Sequence, residues 1–128
     1  MTSTTVSKVT QETLLSALQE VVKENPQRVY KAPRHMDVHG SNACFYVHLD
    51  EEGAQVGAGC IVGTVLHRLG VSLEALRRVE GLGVQGALSG LGLSGDQLMW
   101  PRLRRIQISQ DKGSTWGEAY AAEFGEMA

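Results

Sequence analysis

The stretch from Gly57 to Glu80, Gly-Ala-Gly-Cys-Ile-Val-Gly-Thr-Val-Leu-His-Arg-Leu-Gly-Val-Ser-Leu-Glu-Ala-Leu-Arg-Arg-Val-Glu, constrains this chain more than any other segment. A glycine-rich approach leads to Cys60, after which Ile61, Val62, Val65, Leu66 and Leu69 recur at helical spacing as a broad apolar stripe. Gly70 stands where a helix stop needs a left-handed residue, and Val71 can make the apolar contact that accompanies such a stop. Ser72 then caps a second helix, with Leu73, Leu76 and Val79 inward and Arg77 and Arg78 outward, until Gly81 ends it. Three readings fit this corner: a helix-turn-helix DNA reader, a cysteine activated at a helix start, or the packed centre of a small domain.

The rest of the chain reads as further helices around that corner. Thr10 is an N-cap, with Val9 and Leu14 as a hydrophobic staple, and Leu14, Leu15, Leu18, Val21 and Val22 share one helical face until Asn25-Pro26 ends it. Leu91-Gly-Leu-Ser repeats the form of Leu69-Gly-Val-Ser, so two successive corners solve the same geometric problem. Between them, a short helix over 84–91 is rich in glycine and relies on burial rather than propensity. Pro101 either starts or bends the next helix, in which Leu103 and Ile106 face inward, and Asp111-Lys-Gly113 breaks it. Thr115-Trp-Gly-Glu118 is a capping box, followed by a stripe of Trp116, Tyr120 and Phe124.

Strand character is confined to one region. Cys44-Phe-Tyr-Val-His-Leu49 alternates, with Phe45, Val47 and Leu49 on one side and Cys44, Tyr46 and His48 on the other. The expected partner is Arg28–Ala32, across a polar loop, with Asp50–Gly53 as a turn. These elements make an α+β fold: a mostly helical domain over 10–128 with one small two-stranded antiparallel ribbon, preceded by a flexible tail over 1–9. The expected core is Leu14, Leu18, Val22, Phe45, Val47, Ile61, Val65, Leu69, Leu76, Leu88, Leu103, Ile106, Trp116 and Tyr120.

Composition narrows the function classes. The 128 residues carry a formal net charge of −2, with 42% hydrophobic and 20% charged residues. That balance is globular, and it weighs against a protein whose main work is gripping nucleic-acid backbone. The start is polar and no apolar run has the length of a membrane span, so a cytoplasmic protein is expected, with no membrane contact. The two cysteines, Cys44 and Cys60, are expected to be reduced, with Cys60 buried.

The chemistry candidates follow. Cys60 at a helix start, with His67 at i+7 and His48 upstream, could serve a cysteine hydrolase, although no oriented base is evident. His35, His39, Cys44, His48 and Cys60 lack the tight knuckle spacing of a zinc site, so no metal and no cofactor is expected. Val65, Leu69, Gly70, Val71, Leu76 and Val79 fit a helix-turn-helix over residues 61–80, with Arg77 and Arg78 for phosphates. Leu66 stands where that motif wants a small residue, and Leu73 and Glu74 are poor tools for reading bases. Gly81-x-Gly lacks the Lys-Ser/Thr of a phosphate loop.

Taken together, Cys44-x-Tyr-Val, Gly59-Cys-Ile-Val-Gly-x-Val-Leu, the Leu-Gly-Leu corner and Gln107-Ile-Ser-Gln-Asp-x-Gly-x-Thr-Trp-Gly-Glu-Ala119 carry a resemblance. Over roughly residues 12 to 122 the chain resembles small proteins of unknown function encoded by bacteriophages of actinobacteria. The resemblance implies a phage accessory protein in the host cytoplasm and supplies no catalytic residue. The resulting expectation is a non-enzymatic protein that binds a host protein. Its contact surface would be the loop Lys31 to Asn42, through Arg34, His35 and His39, or else the face of Arg102, Arg104 and Arg105. DNA binding and cysteine hydrolysis remain the alternatives.

Overall fold

The computed structural model describes residues 9–37, 44–93 and 100–125. In chain order they form α1 (Gln11–Glu24), β1 (Val47–Leu49), β2 (Gln55–Ala58), α2 (Ile61–Arg68), α3 (Leu73–Arg78), α4 (Val84–Gly90), α5 (Trp100–Asp111) and α6 (Trp116–Phe124). The strands make one two-stranded antiparallel sheet, so the fold is α+β and mostly helical. No helix among the described residues is long and apolar enough to cross a membrane.

The caps fall where the sequence places them. Thr10 Oγ1 accepts from the Thr13 amide and the Thr13 hydroxyl answers the Thr10 amide, closing a capping box at α1. Thr115 and Glu118 do the same at α6. Gly70 has φ +102, its amide bonds to His67 O, and Val71 N reaches back to Leu66 O. Gly92 and Leu93 repeat this double bond onto Ser89 and Leu88, so both expected corners contain the same glycine-terminated stop. The serine cap of the second corner, Ser94, lies outside the described residues.

Around the α2–α3 corner the apolar faces meet in one cluster. Helix α1 packs on α2 and α6, and α5 packs on α2, α4 and α6. Leu18, Val21, Ile61, Val65, Leu66, Leu76, Leu103, Ile106 and Trp116 are buried, and Tyr46 and Val47 join them from the strand side. The expected core is buried apart from Phe45 and Leu69, which are half-buried.

The ribbon differs from expectation in its partner. β1 pairs with β2 through the turn at 50–54, in which Asp50 Oδ1 accepts from the Glu52 and Ala54 amides and Gly53 has φ +88. Residues 28–32 form no strand, and the chain here is tied to α6 instead. Arg28 O accepts from Trp116 N and Pro26 O from Gly117 N, so this segment satisfies the open amides at the start of α6. The alternation also breaks: Tyr46 and Val47 are both buried, since residues 44–46 precede the strand, and a bulge follows His48.

Two glycines explain how residues 44–46 sit. A Cβ on Gly63 would lie 2.4 Å from Tyr46 O, and one on Gly59 would lie 2.3 Å from Phe45 O. Spaced four apart, they open a flat strip at the start of α2 on which the Phe45–Tyr46 backbone lies directly. There Gly59 N bonds to Tyr46 O and Cys60 N to Phe45 O, both at 2.9 Å.

Candidate functional site

Cys60 is the N-cap of α2, as its position in the sequence implies, but its side chain makes no cap bond. The open amide of Ile61 is met instead by Gln110 Oε1 at 2.8 Å, from a glutamine with 0% exposure. One turn earlier on α5, Gln107 Nε2 donates to Cys44 Sγ at 2.7 Å and to Cys60 Sγ at 3.4 Å. The two free thiols therefore sit together beneath one carboxamide, Cys60 fully buried and Cys44 half-buried. A hydrogen bond to Cys60, followed by burial, pushes the Cys44 thiol well above its ordinary range, so Cys44 stays protonated at neutral pH. Gln107 Oε1 is buried and meets no donor.

The described histidines, His35, His48 and His67, make hydrogen bonds within the fold. Tyr30 Oη accepts from the Phe45 amide and lies 3.0 Å from His48 Nε2. Burial, then the charges of Arg28 and His35, hold His48 below its usual pKa. The ring is therefore neutral where it meets the Tyr30 hydroxyl. His67 Nδ1 contacts Val71 O at 3.0 Å, at the exposed end of α2, while Cys60 lies sealed at the other end. His35 Nε2 donates to Leu49 O at 2.7 Å. His39 lies outside the described residues. Among the described residues no group of three His, Cys, Asp or Glu side chains could hold a metal ion.

Leu66 of α2 is fully buried, and α3 spans six residues. Glu74, Arg77 and Arg78 share a shallow depression with Gln55 of β2. At the end of α3, Glu80 turns back to the sheet. Its Oε1 accepts from Tyr46 N at 2.9 Å and its Oε2 from Val47 N at 2.8 Å. Burial raises the Glu80 pKa against these two bonds, which favour the carboxylate.

The arginine face of α5 divides. Arg102 Nε and Arg105 Nε each donate to Glu123 of α6, at 3.0 Å and 2.7 Å, and Arg102 stacks 3.8 Å over the Phe124 ring. Arg102 and Arg105 thereby tie α6 to α5. Arg104, one residue away, is exposed and borders a cleft of about 290 Å³. The cleft runs between the turn Gly81–Val84 and α5, floored by Cys44 and Tyr46, with Arg104, Gln107, Ile108 and Asp111 along its α5 wall.

The loop after Tyr30 is built on β1. A turn over 33–37 closes with Met36 N and Asp37 N on Pro33 O. His35 binds Leu49 O, and Met36 Sδ accepts from Leu49 N at 3.2 Å. Lys31 and Arg34 are exposed and border a shallow depression with Ala32 and Asp37.

Comparison with known proteins finds no matching family model, no matching curated protein and no matching solved structure. Gln107, Gln110, Tyr30 and Glu80 are not singled out by the sequence, because the bonds by which they act across the fold reach 15 to 63 positions along the chain. The only local signal was Gln107 and Gln110 on the same side of α5 as Leu103 and Ile106, a polar pair continuing an apolar stripe.

Proposed function

We propose that the chain is a small non-enzymatic binding protein, and that the segment Lys31–Asp37 carries its contact with an acidic surface of another protein. The observation that supports this is the anchoring of that segment. Both backbone groups of Leu49 are bound by side chains of the turn, His35 to the carbonyl and Met36 to the amide. Anchoring from beneath leaves Lys31 and Arg34 directed to solvent, and no ion pair among the described residues engages either. A loop held in place before binding loses less entropy on binding, which lets two cationic side chains contribute more than a mobile tail would. The resemblance to actinobacteriophage proteins makes a host protein the natural partner, met in the host cytoplasm.

The test is affinity capture of the tagged protein from an actinobacterial lysate, beside a variant carrying Lys31→Glu and Arg34→Glu. An acidic partner retained by the wild type, lost by the variant and released by added salt supports the reading. Equal capture by both proteins removes this segment from it.

A further inference from the structure

The cleft beside α5 has a polar sequence of its own. Arg104, Gln107 and Asp111 follow one another along one side of the helix, giving a cation, a carboxamide and an anion in a row. Arg104 and Asp111 are seven positions apart, about 10 Å along the axis at roughly 1.5 Å per residue. Between them Gln107, 7% exposed, lines the wall with its Oε1 unpartnered. Tyr46, Val84 and Ile108 supply apolar surface. The Tyr46 hydroxyl donates to Leu82 O at 2.7 Å, which fixes that ring and the turn above it.

We infer that this cleft binds the carboxyl-terminal end of a partner polypeptide whose last residue is apolar. Arg104 takes the terminal carboxylate, and Gln107 Oε1 accepts the N–H of the last peptide bond after a turn of its terminal torsion that takes Nε2 off the Cys44 and Cys60 sulfurs. Asp111 receives a donor from a residue further back. Each part of the row selects against a different competitor. A free amino acid would bring its ammonium group beside Arg104, whereas a peptide nitrogen is a neutral donor. An acidic side chain inside a longer segment would present its carboxylate without an N–H at the same short distance. Asp111 sets the direction, since a carboxylate at that end meets a like charge. An extended chain covers about 10 Å in three residues, so three residues match the span from Arg104 to Asp111. The volume of about 290 Å³ sits at the small end for ligand pockets and suits a chain end rather than a large cofactor. This inference rests on the reading of the chain as a protein-binding module, but it concerns a different face from Lys31 and Arg34.

The test uses the full ¹⁵N-labelled chain and two probes, acetyl-Ala-Ala-Leu with a free carboxylate and the same peptide as its C-terminal amide. The free acid should shift amide signals of residues 81–84 and 104–111. The capped peptide should bind about tenfold more weakly, a loss of roughly 1.4 kcal/mol. Arg104→Gln, at an exposed position, should reduce the acid to the affinity of the capped peptide and leave the capped peptide unchanged. Gln107→Met, close in shape but without the acceptor, should weaken both probes, with thermal unfolding recorded to confirm that it folds. Arg34→Gln should leave both probes unaffected, which separates this cleft from the basic loop. Equal binding of acid and amide, an Arg104 variant with undiminished affinity for the acid, or no shift at millimolar acid each overturns the proposal. Shifts centred on residues 31–37 would do so too, while favouring the loop.

Discussion

The carboxamide of Gln110 accepts a hydrogen bond from the amide of Ile61 at 2.8 Å, across 49 positions of the sequence. Helix starts leave amides open, and a side chain at the N-cap normally meets one of them. Cys60 occupies that position without a cap bond, so α5 supplies the oxygen that α2 lacks. Gln110 Nε2 is held in turn by Asp111 Oδ1 at 2.8 Å, which fixes which end of the amide faces α2. Gln110→Leu keeps much of the volume and removes the acceptor, leaving a buried amide unmet. The expected cost is about 1–3 kcal/mol in urea unfolding. A loss within error of zero would mean that Ile61 N finds another partner.

Glycine substitutions on α2 and α4 should have opposite signs. A Cβ at Gly63 would press on Tyr46 O at 2.4 Å, a backbone atom that cannot turn aside. Gly63→Ala should therefore destabilise by about 1–3 kcal/mol. At Gly86, in α4, the nearest atom to an added Cβ is Leu82 Cβ at 3.4 Å, an ordinary contact. Gly86→Ala should stabilise by up to about 1 kcal/mol through helix propensity. Equal effects in thermal unfolding would show that the strip at Gly59 and Gly63 is not closely packed.

These two sites show what the sequence could and could not supply. Helix ends were readable because caps are local: Thr10 with Thr13, Gly70 with Val71 and Thr115 with Glu118 satisfy each other within a few residues. The apolar stripes of α1, α2 and α6 were readable for the same reason, through their period. The ribbon partner was not. Gln55-Val-Gly-Ala58 has too few β-formers to announce a strand, while Arg28–Ala32 has the composition of one but places Arg28 O on the start of α6. The arginine cluster on α5 looked like one face, yet Glu123 divides it, and Glu123 lies in another helix. Carboxylates that act across the fold carry no period, so Glu80 and Glu123 gave no pattern, and Gln107 and Gln110 showed only as a polar continuation of the α5 stripe.

His48 should make stability depend on pH in the weakly acidic range. Its folded pKa lies below the reference value of 6.5, through burial first and then Arg28 and His35. Below pH 6.5 the unfolded chain takes up a proton that the folded ring refuses, so unfolding is favoured as pH falls through this window. Wild type should lose stability between pH 6.5 and the folded pKa, and His48→Gln should show a flatter profile there. Parallel profiles for the two proteins would remove His48 as the cause.

The α5–α6 contact should show the acid dependence of a depressed carboxylate. Hydrogen bonds from Arg105 and then Arg102 lower the Glu123 pKa from 4.5 to about 2. A carboxylate depressed in this way stabilises the fold fully above its unfolded pKa, and the contribution is lost as pH falls through the folded value. The difference in stability between wild type and Glu123→Gln should therefore be constant from neutral pH down to about 4.5 and shrink towards pH 2. Exposed arginines are screened, so Arg105→Ala should cost little. Arg102→Ala should cost more than that, because Arg102 also donates to Glu123 O at 3.1 Å and covers the Phe124 ring. Thermal unfolding across this pH range in moderate salt reads both effects. A wild-type advantage that persists unchanged at pH 2 would show that Glu123 stabilises α6 by packing rather than by charge.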